Sequence, residues 1–120
     1  MNTQTVSLIG RVLMAVIFFY SSFNKITGPE ETLALIRSSG LPFAPVAYAA
    51  SLMVELGGAL ALVFGFQLRI AAAILAAFSV VTGLAFHNHL ADQAQVYNLL
   101  KNFAMAGGLL QLVAFARPKA

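Results

Sequence analysis

Long apolar runs separated by short polar links organise the chain. The first lies within TQTVSLIGRVLMAVIFFYSSFNK, the second runs from Val46 to Phe66, the third from about Ile70 to Phe86, and the fourth from near Val96 to Phe115. At about 1.5 Å per helical residue, each approaches the thickness of a bilayer core. The first run resembles a signal peptide only in position. No basic segment precedes it, Arg11 sits inside it, and no small-x-small cleavage pattern follows before Lys25. It therefore reads as a span. Pro45 suits the first turn of the second span, and only Gln67, Leu68 and Arg69 separate that span from the third, so a tight antiparallel hairpin is expected there.

Between the first and second spans, TGPEETLALIRSSGLPFAP has the punctuation of a short helix lying at the interface. Thr27 or Gly28 can cap it, Pro29 starts its first turn, Glu30 and Glu31 match the positive end of its dipole, and Gly40 stops it. Leu33, Ile36 and Leu41 are then expected to rest on the membrane while Arg37 faces water. The pattern predicts an all-α protein: an integral membrane four-helix bundle with a short interfacial helix between helices 1 and 2, in a single domain over residues 1–120.

Composition agrees with that setting. Hydrophobic residues make up 60% of the 120 residues and charged ones 9%, with a mean hydropathy of +0.86, far from the balance of a soluble domain. The net charge of +3 comes from seven Lys and Arg against four acids. These are too few and too dispersed for a nucleic-acid surface, and suit anionic lipid or an anionic ligand better. The chain has no cysteine, which removes disulfides, thiolate catalysis and Fe–S ligation.

Against this apolar background the polar exceptions carry the information. Glu55 stands near the middle of the second span, about 15 Å from its start, where a lone carboxylate costs several kcal/mol unless paired, protonated or wetted. After it Gly57, Ala61 and Gly65 recur every fourth residue and predict a seam for close helix contact. In the first span Arg11, Phe18 and Lys25 recur every seven residues on one face, the two cations about 21 Å apart. Both can snorkel to opposite headgroup layers. The third span is thin, with Ala72, Ala73, Ala76, Ala77 and Gly83, and its Ser79 and Thr82 are expected to bond back to their own helix.

Four spans gather Tyr20, Tyr48 and Tyr97 near one membrane face with Lys25, His87, His89, Asn98, Lys101 and Asn102. An aromatic belt accounts for the tyrosines. In the fourth span Asn98, Lys101, Asn102 and Met105 share a stripe at i, i+3, i+4, i+7 spacing.

Several pieces, in order, resemble the DoxX family: the early Arg11, the run ending SSFNKI, the GLP connector at Gly40 to Pro42, E-L-G-G from Glu55, G-x-x-x-R from Gly65 to Arg69, His87 after the third span, and L-K-N from Leu100. The resemblance covers nearly the whole chain. It implies a small four-helix protein of the bacterial inner membrane. Some such proteins are associated with quinone-linked oxidation of sulfur compounds, and others with oxidative-stress or thiol-redox complexes. Without cysteine, this chain has no residue for a direct thiol relay.

The site expectation follows from depth. Arg11 is expected to neutralise Glu55 as a structural pair, leaving Lys101, Asn102 and His87 to line an electropositive pocket open toward the tyrosine-rich side. A quinone or a small anionic compound is expected among Arg11, Glu55, His87 and Lys101, with Asn102, Lys25 and Tyr97 the further ligand-binding candidates. His87 is then the candidate proton donor and Lys101 the other candidate catalytic group. Alternatively, all these groups form a closed structural network. The functional readings are accordingly a redox-associated subunit, with quinone as possible cofactor; a noncatalytic partner or assembly subunit of an oxidoreductase complex; or a small-molecule transporter built by homo-oligomerisation. No metal site is expected, since His87 and His89 diverge on a helix and Glu55 is the only acid inside a span. Ser79, His87 and Asp92 occur together no more than chance allows. Arg11, Arg69, Arg117 and Lys119 on one face, against Lys25, Arg37 and Lys101 on the other, favour cytoplasmic termini.

Overall fold

The computed structural model describes residues 2–116. Arg117 and Lys119, counted above toward the orientation, lie outside the described residues. The chain is all-α: α1 (Thr3–Thr27), α2 (Pro29–Ser38), α3 (Ala44–Phe64), α4 (Leu68–Phe86) and α5 (Gln93–Phe115). It forms two compact units, Met1–Phe66 and Gln67–Ala120. Of the helices, α1, α3 and α4 are long and apolar enough to cross a membrane. α5 is long but more polar: Gln93, Gln95, Asn98, Lys101 and Asn102 occupy its first half.

In the first unit α1 packs against α3, and α2 packs on both. Asn2 caps α1, its side-chain oxygen accepting from the Thr5 amide at 2.8 Å. The inner face of α1 runs through Arg11, Ala15, Phe18, Ser22 and Lys25, at alternating spacings of four and three. The seven-residue repeat of the sequence is therefore the buried side. α2 follows its signals, with Pro29 in the first turn, Glu30 and Glu31 beside it, and Gly40 at φ +88° just past its end. Its apolar face is spent differently from the expectation. Ile36 is buried and Leu33 half-buried within the protein, while Leu41 is exposed, so of the three only Leu41 is left open to a membrane surface.

α3 begins two residues before the expected Val46, because proline is tolerated in a first turn, and ends at Gly65 in the left-handed region, φ +73°. Within the first unit the Gly57–Ala61–Gly65 seam is not the stripe that packs on α1. Nothing lies within 4 Å of where a Cβ on Gly57 would be. The buried stripe is Ala44, Glu55, Ala59 and Leu62. At about 100° per residue, Gly57 lies almost opposite Glu55, so burying the carboxylate turns Gly57 outward.

In the second unit α4 and α5 are antiparallel partners along their length. The thin face of α4 expected from its small residues is its buried face: Ala72, Leu75, Ala76, Ser79 and Gly83. A Cβ on Gly83 would stand 3.0 Å from Asn102 Cβ, so glycine there lets α5 come close. α5 starts three residues before the expected Val96 because Asp92 caps it, accepting from the Ala94 amide at 3.0 Å.

Candidate functional site

Glu55 is the buried ion of the first unit, and its partner is Lys25 rather than Arg11. Lys25 Nζ donates to Glu55 Oε1, the side chains being 17% and 3% exposed respectively. The same ammonium donates to Ser21 Oγ at 3.1 Å, one turn back along α1. The pairing has a directional cause. Helical side chains lean toward their own N-terminus. Lys25, in the last turn of α1, therefore leans inward to the level of Ser21. Glu55 on antiparallel α3 leans outward to meet it. Arg11 obeys the same rule and leans away from Glu55. Its Nη1 donates to the Leu62 carbonyl at 2.9 Å, one of the last carbonyls of α3, which have no amide of their own helix to accept from. Glycine at position 65 leaves room for this, since a Cβ there would stand 3.1 Å from Arg11 Nη1. Arg11 Nε is buried without a partner.

A second bond ties the other end of the same helix pair. Tyr48 Oη donates to the Lys25 carbonyl at 2.7 Å, again among the last carbonyls of a helix. α1 and α3 are thus pinned at both ends by side chains reaching orphan carbonyls, with the Lys25–Glu55 pair between. In a setting without water, each such carbonyl left bare costs several kcal/mol.

The second unit distributes its predicted residues over two faces of α5. Asn102 faces α4: its Nδ2 donates to the Ser79 carbonyl at 3.0 Å and to Thr82 Oγ1 at 3.3 Å. Ser79 and Thr82 bond back to the Leu75 and Phe78 carbonyls, both at 2.8 Å, as their residue types suggested. His87 ends α4, half-buried, with Nδ1 3.2 Å from Gln95 Oε1. Lys101 and Tyr97 are exposed and turned away from this network. Asn98, Lys101, Asn102 and Met105 therefore do not act as one inward stripe, for Lys101 alone of the four is exposed. At the far end, Arg69 Nε donates to the Val113 carbonyl at 2.9 Å, treating the end of α5 as Arg11 treats the end of α3. Periodicity missed Ser21, Tyr48 and Arg69. The signal for Tyr48 and Arg69 was the set of bare carbonyls at each helix end, and for Ser21 its place one turn before Lys25.

A buried Lys–Glu pair between two long apolar helices, within the E-L-G-G run from Glu55, joins the sequence motifs to a geometry. The DoxX family model matches residues 6–88. The chain belongs to the DoxX family. Its relatives include the inner membrane protein YqjF of Escherichia coli, 33% identical over 115 residues, which covers 94% of this chain and 85% of that one. Inner membrane protein YphA of the same organism is 28% identical over 118 residues, 94% of this chain and 84% of that one. No solved structure matches. This DoxX protein is accordingly a multi-pass protein of the inner membrane, in contact with lipid.

Proposed function

We propose that this DoxX protein is a redox-associated membrane subunit that holds a quinone, or a similar small hydrophobic carbonyl compound, against the Lys25–Glu55 pair. The observation that carries the reading is the unfinished bonding of that pair. An ammonium has three donors, and among the described residues Lys25 uses two of them, on Glu55 and Ser21. A carboxylate has two oxygens, and among the described residues only Oε1 of Glu55 accepts a bond. One donor and one acceptor thus remain side by side at a site where low polarity strengthens each bond. A quinone carbonyl accepts from the first, and a quinol hydroxyl donates to the second. Arg11 Nη1 is engaged by the Leu62 carbonyl, so in this reading recognition rests on Lys25 and Glu55. In this reading α5 also crosses the membrane, because it runs beside α4 from His87–Gln95 at one end to Arg69–Val113 at the other. α2 lies at the surface and the termini face the cytoplasm.

A noncatalytic assembly subunit is the second reading. It is favoured by the fact that Arg11, Tyr48, Arg69 and Asn102 all serve backbone carbonyls. Titration of the purified protein in lipid nanodiscs with decylubiquinone separates the two. The quinone reading expects saturable binding that weakens about tenfold or more in Lys25→Met, which removes roughly one charge-assisted bond, while Glu55→Gln weakens the reduced form, decylubiquinol, whose hydroxyl donates to the carboxylate. Wild-type protein that takes up no more quinone than empty nanodiscs would leave the assembly reading in place.

A further inference from the structure

Within the first unit, α1 and α3 are joined by three side-chain bonds: Arg11 to the Leu62 carbonyl, Lys25 to Glu55, and Tyr48 to the Lys25 carbonyl. α2 packs on both helices but is attached differently. Among the described residues its side-chain bonds are local, from Thr32 Oγ1 to the Gly28 carbonyl, from Ser38 Oγ to the Leu35 carbonyl and from Ser39 Oγ to the Ile36 carbonyl. Its hold on α1 and α3 is apolar, and Ile36 is its buried residue. An element held by few apolar contacts opens at lower cost than one pinned by buried polar bonds.

Both joints of α2 suit such a movement. One is the single residue Gly28, which ends α1 and begins α2. The other runs from Gly40, at φ +88°, to Phe43, whose φ of +54° and ψ of +57° are left-handed. Glycine takes that backbone freely, whereas phenylalanine holds it only where the surrounding structure imposes it. Both joints lie at the Lys25 end of the helix pair. Gly28 follows Lys25 by three residues, and Phe43 stands five before Tyr48, which bonds the Lys25 carbonyl.

We propose that α2 is a strap across the Lys25 end of α1 and α3, seated by Ile36 and strained at Phe43, and that its lifting as a unit opens the way to the Lys25–Glu55 pair. The inference rests on the quinone reading only for what passes beneath the strap. Glu55 is 3% exposed, so a ligand meets its second oxygen only after something moves. Parting α1 from α3 would break the pair itself. Lifting α2 leaves the pair intact and relieves Phe43, so the pinned helices keep the geometry of the site while the loosely held one admits the ligand.

The chain has no native cysteine, so Ser21→Cys places a single thiol beside Lys25, whose ammonium donates to Ser21 Oγ. Full-length protein carrying it is labelled in lipid nanodiscs with a water-soluble, anionic methanethiosulfonate. Ile36→Ala should raise the labelling rate about tenfold, because it removes most of the apolar grip. Phe43→Gly should lower it about fivefold by taking the strain out of the seated state, while Phe43→Ala keeps a side chain on the left-handed backbone and should label like the parent. A separate thiol at Ala15→Cys, buried on the inner face of α1, should stay unlabelled in every background. Equal rates for Ser21→Cys in all four backgrounds overturn the proposal, as does Phe43→Gly labelling no more slowly than Phe43→Ala. Labelling of Ala15→Cys that rises with Ile36→Ala also overturns it, in favour of a general loosening of the unit. None of these readings needs a quinone. With decylubiquinone added, Ile36→Ala should speed association and dissociation alike and leave Kd within about twofold, as a gate does. Association as slow as in wild type overturns the gate. Wild-type protein that takes up no quinone while the labelling pattern holds removes the quinone reading and leaves the strap standing.

Discussion

Removing Lys25 should damage this protein more than removing its partner, although the two make one bond. Glu55 has 3% of its side chain exposed and Lys25 17%, and the two differ in what they can do when left alone. In Lys25→Met the carboxylate stays deep on α3, about 16 Å from the helix start, with no other cation in reach because Arg11 is turned toward Leu62. Breaking a buried pair in this way costs about 3–5 kcal/mol. In Glu55→Gln the amide oxygen still accepts from Lys25, and the lysine, two residues from the end of α1, can also swing outward along its stem. That change should cost about 1 kcal/mol. The double variant Lys25→Met/Glu55→Leu removes both charges and should recover to within about 1–2 kcal/mol of wild type. Unfolding by SDS titration in mixed micelles, followed by helical circular dichroism, measures all three. If Lys25→Met were no worse than Glu55→Gln, or the double variant no better than Lys25→Met, the pair would not be the buried, mutually dependent contact described here.

Arg11→Leu strips the donor from the Leu62 carbonyl and should destabilise by about 1–3 kcal/mol in the same titration, with Arg11→Lys in between. Gly65→Ala, at φ +73° and against the Arg11 guanidinium, should cost about 1–2 kcal/mol. Gly57→Ala and Gly83→Ala form a contrast: the first meets nothing and should be neutral or stabilising by up to about 1 kcal/mol, while the second drives a Cβ to 3.0 Å from Asn102 and should destabilise by about 1–3 kcal/mol. Equal melting temperatures for that pair would contradict the packing of α4 on α5. Alkaline phosphatase and green fluorescent protein fusions after the last residue and at Gln93 test orientation, with a fluorescent C-terminus and an active phosphatase at Gln93 expected.

Much of the fold was legible as period and length. Apolar runs of about 20 residues, the proline of the first turn of α2, and the glycine that ends α2 are local signals. A helix in lipid satisfies its own backbone, so local signals suffice to place it. The repeat of Arg11, Phe18 and Lys25 marked the inner face of α1 for the same reason, and Glu55 stood out because a carboxylate in an apolar run has few places to go.

Pairing was decided by tertiary structure. Depth along the helix axes brings Arg11 near Glu55, but side chains have direction as well as depth, and antiparallel packing points Lys25 and Glu55 toward each other while carrying Arg11 away. The Gly57 seam is not the side that meets α1, since a residue nearly opposite Glu55 on α3 cannot share the face buried against that helix. In α5, i, i+3, i+4, i+7 spacing grouped Lys101 with Asn102, and only the packing of α4 assigned Asn102 inward and left Lys101 out. Sequence states which residues a helix must hide or satisfy. The neighbouring helix, through its direction and its bare end carbonyls, decides which side chain satisfies which group.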